Sequence, residues 1–295
     1  MTSRINPFTQ PGRWYKANLH THTTRSDGRA TVAERLAQYR RAGYHILALT
    51  DHRATHDVAG LSRPRFLVLS GMEFHPPCRR EKTLHHLVAL GVPHGLAFSR
   101  PASANRCIAE VHRAGGIVVL AHPYWTGLGG DAIRGLRGLD AVEVYNTTCT
   151  RIGRAASESE WAFLLDHGWT IPAVAVDDTH GADAVDVCES ATWLKLPALT
   201  VAHVLRAVRT GCGYATNGPR LLDFRVADGR VRLRCTPAQS GQFQAGPARG
   251  ASCWAAPGRP LTACAVPVQP GWPYVRAVVT DARGRQAWTN PIPLG

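Results

Sequence analysis

From about residue 17 to residue 210, short apolar, β-branched runs alternate with stretches in which apolar residues recur at helical spacing. The runs cover 46–49, 66–69, 84–90, 117–120, 141–145 and 171–176, each short enough for a buried strand. Helical segments fall between several of them. Thr31 with Glu34 forms a capping box, Val32, Leu36 and Tyr39 share one face, and Gly43 supplies the stop. Ser157 with Glu160 repeats the device ahead of Trp161, Leu164 and Leu165 and ends at Gly168. A further helix runs from Thr200 through Val204, Leu205 and Val208 to Gly211. Repeated βα units predict an α/β fold with a parallel sheet, open or closed into a barrel.

After Asn217-Gly218-Pro219 the pattern changes. Residues 221–227 and 231–235 flank Asp228-Gly229 as a hairpin, and 274–280 and 286–289 flank a turn at Gly284 as another. The Pro/Gly-rich stretch between them shows little periodicity. The expected organisation is a larger α/β domain over 1–215 and a small β-rich, sandwich-like domain over 216–295, within the length range of a minor domain. That second part either supports the first, makes a dimer contact, or closes over a site. No internal repeat is evident.

Composition narrows the class. With 44% hydrophobic and 19% charged residues the chain reads as an ordinary soluble protein. No basic start followed by an apolar stretch marks a secretory signal, and no run of about 18 apolar residues marks a membrane span, so a cytoplasmic location is expected. The 8 cysteines are scattered without a C-x-x-C pair, which predicts reduced, buried thiols. The formal charge of +13 comes almost wholly from arginine and favours an anionic partner such as a phosphate ester or nucleic acid. No stripe of aromatic and basic residues points to nucleic acid.

Candidate chemistry gathers where predicted strands end. In Leu19-His20-Thr21-His22 the two histidines are two apart, so on a strand both imidazoles face one side and can reach one cation. Asp27 follows in the loop beyond. Later strands run into Thr50-Asp51-His52, Gly71-Met72-Glu73, Ala121-His122-Pro123 and Asp177-Asp178-Thr179-His180, and His86 lies in the strand that continues Leu-Val-Ala-Leu-Gly. Active sites of parallel α/β folds collect at the carboxyl ends of strands. Imidazole and carboxylate together suit divalent Mn, Fe or Zn. Asp51 and Asp177 neighbour these positions but point the other way on a strand, so hydrogen bonding to a ligand, capping or a proton relay is their expected part. His56, His75, His94, His112, His167 and His203 lack the strand-end context and read as surface or helix histidines.

The order of these motifs resembles the polymerase and histidinol phosphatase (PHP) family across about two-thirds of the chain. Asn217-Gly218-Pro219 and Ala287-Trp288-Thr289-Asn290-Pro291 further resemble a subgroup with a β-rich tail that includes carbamate-cleaving and phosphodiesterase members. The resemblance implies a distorted (β/α)7 barrel and two or three divalent metals. Carried over by position, His20, His22, Glu73 and Asp178 would hold the first metal. Glu73 would bridge to a second, completed by His86 and His122, and Asp27, His52 and His180 would hold a third. His85 is adjacent to His86, and a register shift of one would exchange them; the residues that follow match the family's spacing from His86.

Two cations about 3.5–4 Å apart can share a hydroxide that acts as nucleophile on phosphorus. His180 or His52, when not held by a third metal, could protonate the leaving group. Arg53, Arg79, Arg80 and Arg151, in loops after strands, are candidate phosphate contacts. The leading expectation is hydrolysis of a small phosphomonoester or phosphodiester, such as a nucleotide. The alternatives are a carbamate or carboxylic ester hydrolase using the same centre, an exonuclease, and a metal-binding module without activity.

Overall fold

A computed structural model describes residues 4–98, 102–182 and 186–294. The apolar runs form strands buried on both faces, as a sheet covered on each side requires. Strands β1 (Arg13–Asn18), β2 (Ile46–Leu49) and β3 (Leu67–Phe74) pair in parallel. Strand β4 (Leu87–Leu90) runs antiparallel to β3 and to β5 (Ile117–Leu120). Strands β6 (Ala141–Asn146) and β7 (Ala173–Val176) then restore the parallel sense. Beyond β7, Thr179 bridges Thr21, and Asp178 N donates to the His20 carbonyl at 3.0 Å, so the chain returns alongside the end of β1. Helices α1 (Val32–Arg41), α2 (Ala104–Arg113) and α3 (Glu158–Asp166) connect these strands.

Period-2 alternation sorts each strand between two cores. Val88, Leu90, Ile117 and Val119 face inward with Ala17, Leu19 and Ile46. Leu87, Ala89, Val118 and Leu120 face outward against Ile108 and Val111 of α2 and Trp161 and Leu164 of α3. Trp161 also donates its indole N–H to the Ile171 carbonyl at 2.9 Å, which fixes α3 against the approach to β7.

On the outer edge of β1, β8 (Ala191–Leu196) pairs antiparallel, and α4 (Val201–Thr210) leads to β9 (Gly213–Thr216) beside it. The remaining strands are β10 (Leu221–Ala227), β11 (Arg230–Ala238), β12 (Ser240–Gln244), β13 (Gly250–Trp254), β14 (Leu261–Pro267), β15 (Tyr274–Thr280) and β16 (Gln286–Thr289). Strands β10, β11 and β14 make a separate three-stranded sheet. The others extend the main sheet in the order β13-β12-β15-β16-β9-β8-β1. Phe224, Val231, Leu233, Phe243, Val275 and Val279 fill the space between the two sheets. The result is a mixed α/β fold built on one large sheet with parallel strands at its centre. The 8 cysteines are unpaired, and among the described residues no helix is long and apolar enough to cross a membrane.

The expected cap at Thr31 forms, with both reciprocal hydrogen bonds. The one expected at Ser157 does not: its buried hydroxyl accepts instead from Tyr124 N at 3.1 Å. The run 84–90 is shorter as a strand than expected, because Thr83–Leu84 pairs with Pro77–Cys78. The Pro/Gly-rich stretch contains β12, β13 and β14, whose half-exposed faces hide the apolar alternation. Both expected hairpins are present, with Asp228 and Gly229 at φ 51° and 67° in the turn of the first.

The C-terminal segment is stitched to the rest by side chains as well as strands. Trp288 is fully buried and stacks on Tyr145 of β6 at 5.6 Å. Asn290 accepts from Ala173 N at 2.8 Å and donates to the Gly211 and Gly213 carbonyls at 3.1 and 3.0 Å.

Candidate metal centre

The carboxyl ends of β1, β2, β3, β5 and β7 lie at one end of the sheet, and the antiparallel β4 starts there. His86 therefore precedes its strand while His20, His22, His52, His122, Asp178 and His180 follow theirs. Two of these residues adopt left-handed backbone although neither is glycine, His122 at φ 27° and Asp178 at φ 53°. Such strain persists only where the surroundings impose it, and here it turns both side chains inward directly after a strand. Gly28 brings the Asp27 loop against β1: a Cβ there would lie 2.5 Å from the His22 carbonyl carbon. Buried Arg35 ties the same loop to the far side, donating to the His22 carbonyl at 3.2 and 3.1 Å and to the Gly181 carbonyl at 3.0 Å.

Glu73, 1% exposed, stands at the middle. Its Oε2 lies 3.4 Å from Nε2 of both His20 and His22 and 2.9 Å from His52 Nδ1. Its Oε1 lies 2.8 Å from His86 Nδ1 and 3.5 Å from His122 Nε2. Asp178 Oδ1 is 3.3 Å from His20 Nε2 and 3.0 Å from His22 Nε2, and those two nitrogens are 3.1 Å apart. On the outer side, Asp27 Oδ2 is 3.3 Å from His52 Nε2 and 3.5 Å from His180 Nε2. The nine expected ligands thus converge, and of the adjacent pair it is His86, not His85, that reaches Glu73.

The spacing fits metal ions. Donors about 2.0–2.2 Å from a common centre lie roughly 2.8–3.6 Å from one another, the edges of an octahedron or tetrahedron. Asp178 Oδ1 and His52 Nδ1 are buried with no hydrogen-bond partner among the described residues, an unfavourable state that a cation would relieve. The donors fall into sets that each suit one ion, among them His20-His22-Glu73, Glu73-His86-His122 and His22-Asp27-His52-His180.

The electrostatics agree. Burial favours neutral imidazole throughout, yet at His20 the carboxylates of Asp178, Glu143 and Glu73 outweigh it and raise the pKa well above its ordinary value. At His22 and His86 burial prevails and lowers it. Burial would also raise Glu73 and Asp178, but the surrounding imidazoles hold both below the usual carboxylate range. At His52 and His122 too, burial is outweighed by Glu73 and the neighbouring carboxylates, and the pKa is raised. These carboxylates and imidazoles form a divalent-metal donor set once the rings give up their protons.

Two residues at the centre are not among the expected site residues. Glu143 of β6 is buried, accepts from His20 Nδ1 at 2.7 Å and His122 N at 3.0 Å, and takes a third bond from Asn146 Nδ2 at 2.9 Å. His75 reads as a surface histidine in the sequence, but its side chain is 8% exposed and its Nε2 lies 3.4 Å from Glu73 Oε1. His56 is likewise buried, not superficial, with Nε2 2.6 Å from Asp51 Oδ2.

Asp51 faces away from the cluster. Burial would raise its pKa, but hydrogen bonds from His56, Ser26 and Thr23 hold it at about 2. Its carboxylate approaches the centre through Ser26, whose hydroxyl sits 3.4 Å from His22 Nδ1. Asp177 also points away, accepting from Tyr39, Thr147, Cys188 and Ser190. The four arginines do not enter the cluster. Arg53 and Arg79 are exposed, Arg80 pairs with Asp131 at 3.3 Å, and Arg151 pairs at 3.3 Å with Asp186, which also accepts from His180 N.

No protein-family model and no curated protein sequence matches the chain. Among solved structures it is similar to a two-domain protein from Bacteroides vulgatus, described as containing a predicted PHP-like metal-dependent phosphoesterase. That match covers 99% of this chain and 98% of the other at 14% identity, with a TM-score of 0.57. An amidohydrolase from Chromobacterium violaceum matches 65% of this chain and 96% of its own at 20% identity, TM-score 0.49. The lesion-specific endonuclease Q from Pyrococcus furiosus matches 67% of this chain and 56% of its own at 14% identity, TM-score 0.47. Across nearly its whole length, then, this chain has the fold of the PHP-like protein from Bacteroides vulgatus.

Proposed function

We propose that the chain is a PHP-family hydrolase that cleaves a small phosphomonoester or phosphodiester with the help of two or three divalent metals, Mn, Fe or Zn. One observation carries the reading: Glu73 offers one oxygen to His20, His22 and His52 and the other to His86 and His122, the arrangement of a carboxylate shared between two cations. In this reading the seven strands β1 to β7, brought round by the Thr21–Thr179 bridge, are the distorted (β/α)7 barrel. Residues 216–295 are its β-rich companion domain.

The residues divide the work. His20, His22, Glu73 and Asp178 hold one ion, His86 and His122 complete a second with Glu73, and Asp27, His52 and His180 hold a third. When bound, such ions supply Lewis-acid stabilisation and a water of lowered pKa. Glu143 accepts the Nδ1 proton of His20 and so leaves Nε2 free to ligate. His180 is part-exposed with Nδ1 against the Asp178 carbonyl at 2.7 Å. Its Nε2 is the group placed to deliver a proton to the leaving oxygen when no third ion holds it. Asp51, bonded to Thr23, Ser26 and His56, positions the Thr23–Ser26 loop.

The test is a metal-loaded sample assayed on nitrophenyl phosphate mono- and diesters beside an aryl carbamate. Turnover of a phosphoester, lost together with bound metal in the His20→Ala/His22→Ala double variant, is expected. A fully metallated protein inert to both phosphoesters would refute the proposal, and one active only on the carbamate would transfer the centre to the other ester class.

A further inference from the structure

The chain turns sharply after His122. The left-handed backbone of that residue opens a single helical turn, Pro123–Thr126, in which Trp125 N and Thr126 N both donate to the His122 carbonyl, at 2.9 and 3.2 Å. Gly127, at φ 69°, ends it. Pro123 is buried, while the next two residues, Tyr124 and Trp125, stand 40% and 41% exposed. Trp161 and Trp288, by contrast, are at most 1% exposed. A lone exposed aromatic is unremarkable on a protein surface. Trp125 differs in what it touches: its ring lies 5.1 Å from that of His122 and 5.5 Å from that of His86, both steeply inclined to it. Both of these imidazoles face Glu73 Oε1, as His75 does.

A substituent directed from Glu73 Oε1 past His86 and His122 would lie against this indole. Resting on the phosphoester reading above, we infer that Trp125 is the platform for a planar aromatic group carried by the substrate on the His86 and His122 side of phosphorus, and so a specificity-determining residue. An indole can also attract a cation, but a cationic substituent beside divalent metals would be repelled. An aliphatic chain would gain apolar contact without using the flat, polarisable ring. Stacking of a planar group on an aromatic side chain is the interaction that uses both its shape and its exposure.

The experiment compares binding of phenylphosphonate and ethylphosphonate, stable analogues of aryl and alkyl esters, to the metal-loaded full chain by calorimetry. Trp125→Ala and Trp125→Phe are measured beside the wild type, with metal content recorded for each. The wild type should prefer the phenyl compound, Trp125→Ala should lower that preference by about 10-fold, and Trp125→Phe should retain most of it. Equal loss of both ligands in Trp125→Ala would show that the indole only props His86 and His122, and overturns the inference. A wild type that binds both phosphonates equally also overturns it while leaving the phosphoester reading intact. Binding of neither by a fully metallated wild type sinks that reading itself and the inference with it.

Discussion

Replacing Glu143 by glutamine tests whether the centre depends on a carboxylate outside the proposed ligand sets. The change keeps volume and removes charge. Glu143 accepts three hydrogen bonds, from His20 Nδ1 at 2.7 Å, His122 N at 3.0 Å and Asn146 Nδ2 at 2.9 Å. A glutamine has one accepting oxygen and one donating nitrogen, so it cannot satisfy all three donors. If the amide oxygen faces His20, the amide nitrogen opposes the N–H groups of His122 and Asn146. If the amide is turned, it donates to His20 Nδ1, and the ring proton moves to Nε2, where it blocks ligation. Either outcome weakens the first site. Loss of such an outer partner costs about 10–100-fold in metal affinity, equivalent to ~1.4–2.7 kcal/mol. Competition against a chromogenic chelator measures this directly, with a far-ultraviolet dichroism melt to show that the metal-free fold persists. Affinity within twofold of wild type would refute the assigned orientation of His20.

Two further outcomes follow from the same geometry. In the metal-free protein, burial opposes protonation of His20 but the neighbouring carboxylates raise its pKa well above the ordinary value, whereas ligation needs a bare Nε2. Metal uptake near neutral pH should therefore release protons and weaken as pH falls; calorimetric heats identical in buffers of different ionisation enthalpy would contradict this. Gly28→Ala would drive a Cβ to within 2.5 Å of the His22 carbonyl carbon, a backbone atom that cannot yield. The Asp27 loop should lift, with loss of the outer ion and about 1–3 kcal/mol of stability; unchanged metal content by elemental analysis and an unchanged urea midpoint would exclude it.

Much of the centre is legible in the sequence because strand ends and i, i+2 spacing are local features. His20 with His22, and the acids and histidines after β2, β3, β5 and β7, need only that rule. The same rule applies to His75, two residues beyond Glu73, but in the sequence the strand reads as ending at Glu73, which leaves His75 without a strand-end context. Glu143 carried a different signal, a lone acid in the apolar run Ala-Val-Glu-Val-Tyr, where an unpaired charge is costly. The antiparallel sense of β4 was hidden, since direction is settled by partners and not by the four apolar residues themselves. The failed cap at Ser157 has the same origin: its hydroxyl fits a local motif but is taken by Tyr124, 33 residues away.

Trp288 of β16 lies on Tyr145, the residue before Asn146, and Asn146 Nδ2 touches both Glu143 and Asp178. The C-terminal segment is thus mechanically upstream of the ligands it never contacts. A chain cut free of that segment would expose the edge of β9 and one face of Tyr145 to water, and slackness there would pass in two steps to the acids of the centre. Trimming the chain to a minimal catalytic core is therefore self-defeating, and the whole molecule should melt as one cooperative unit with a single calorimetric endotherm.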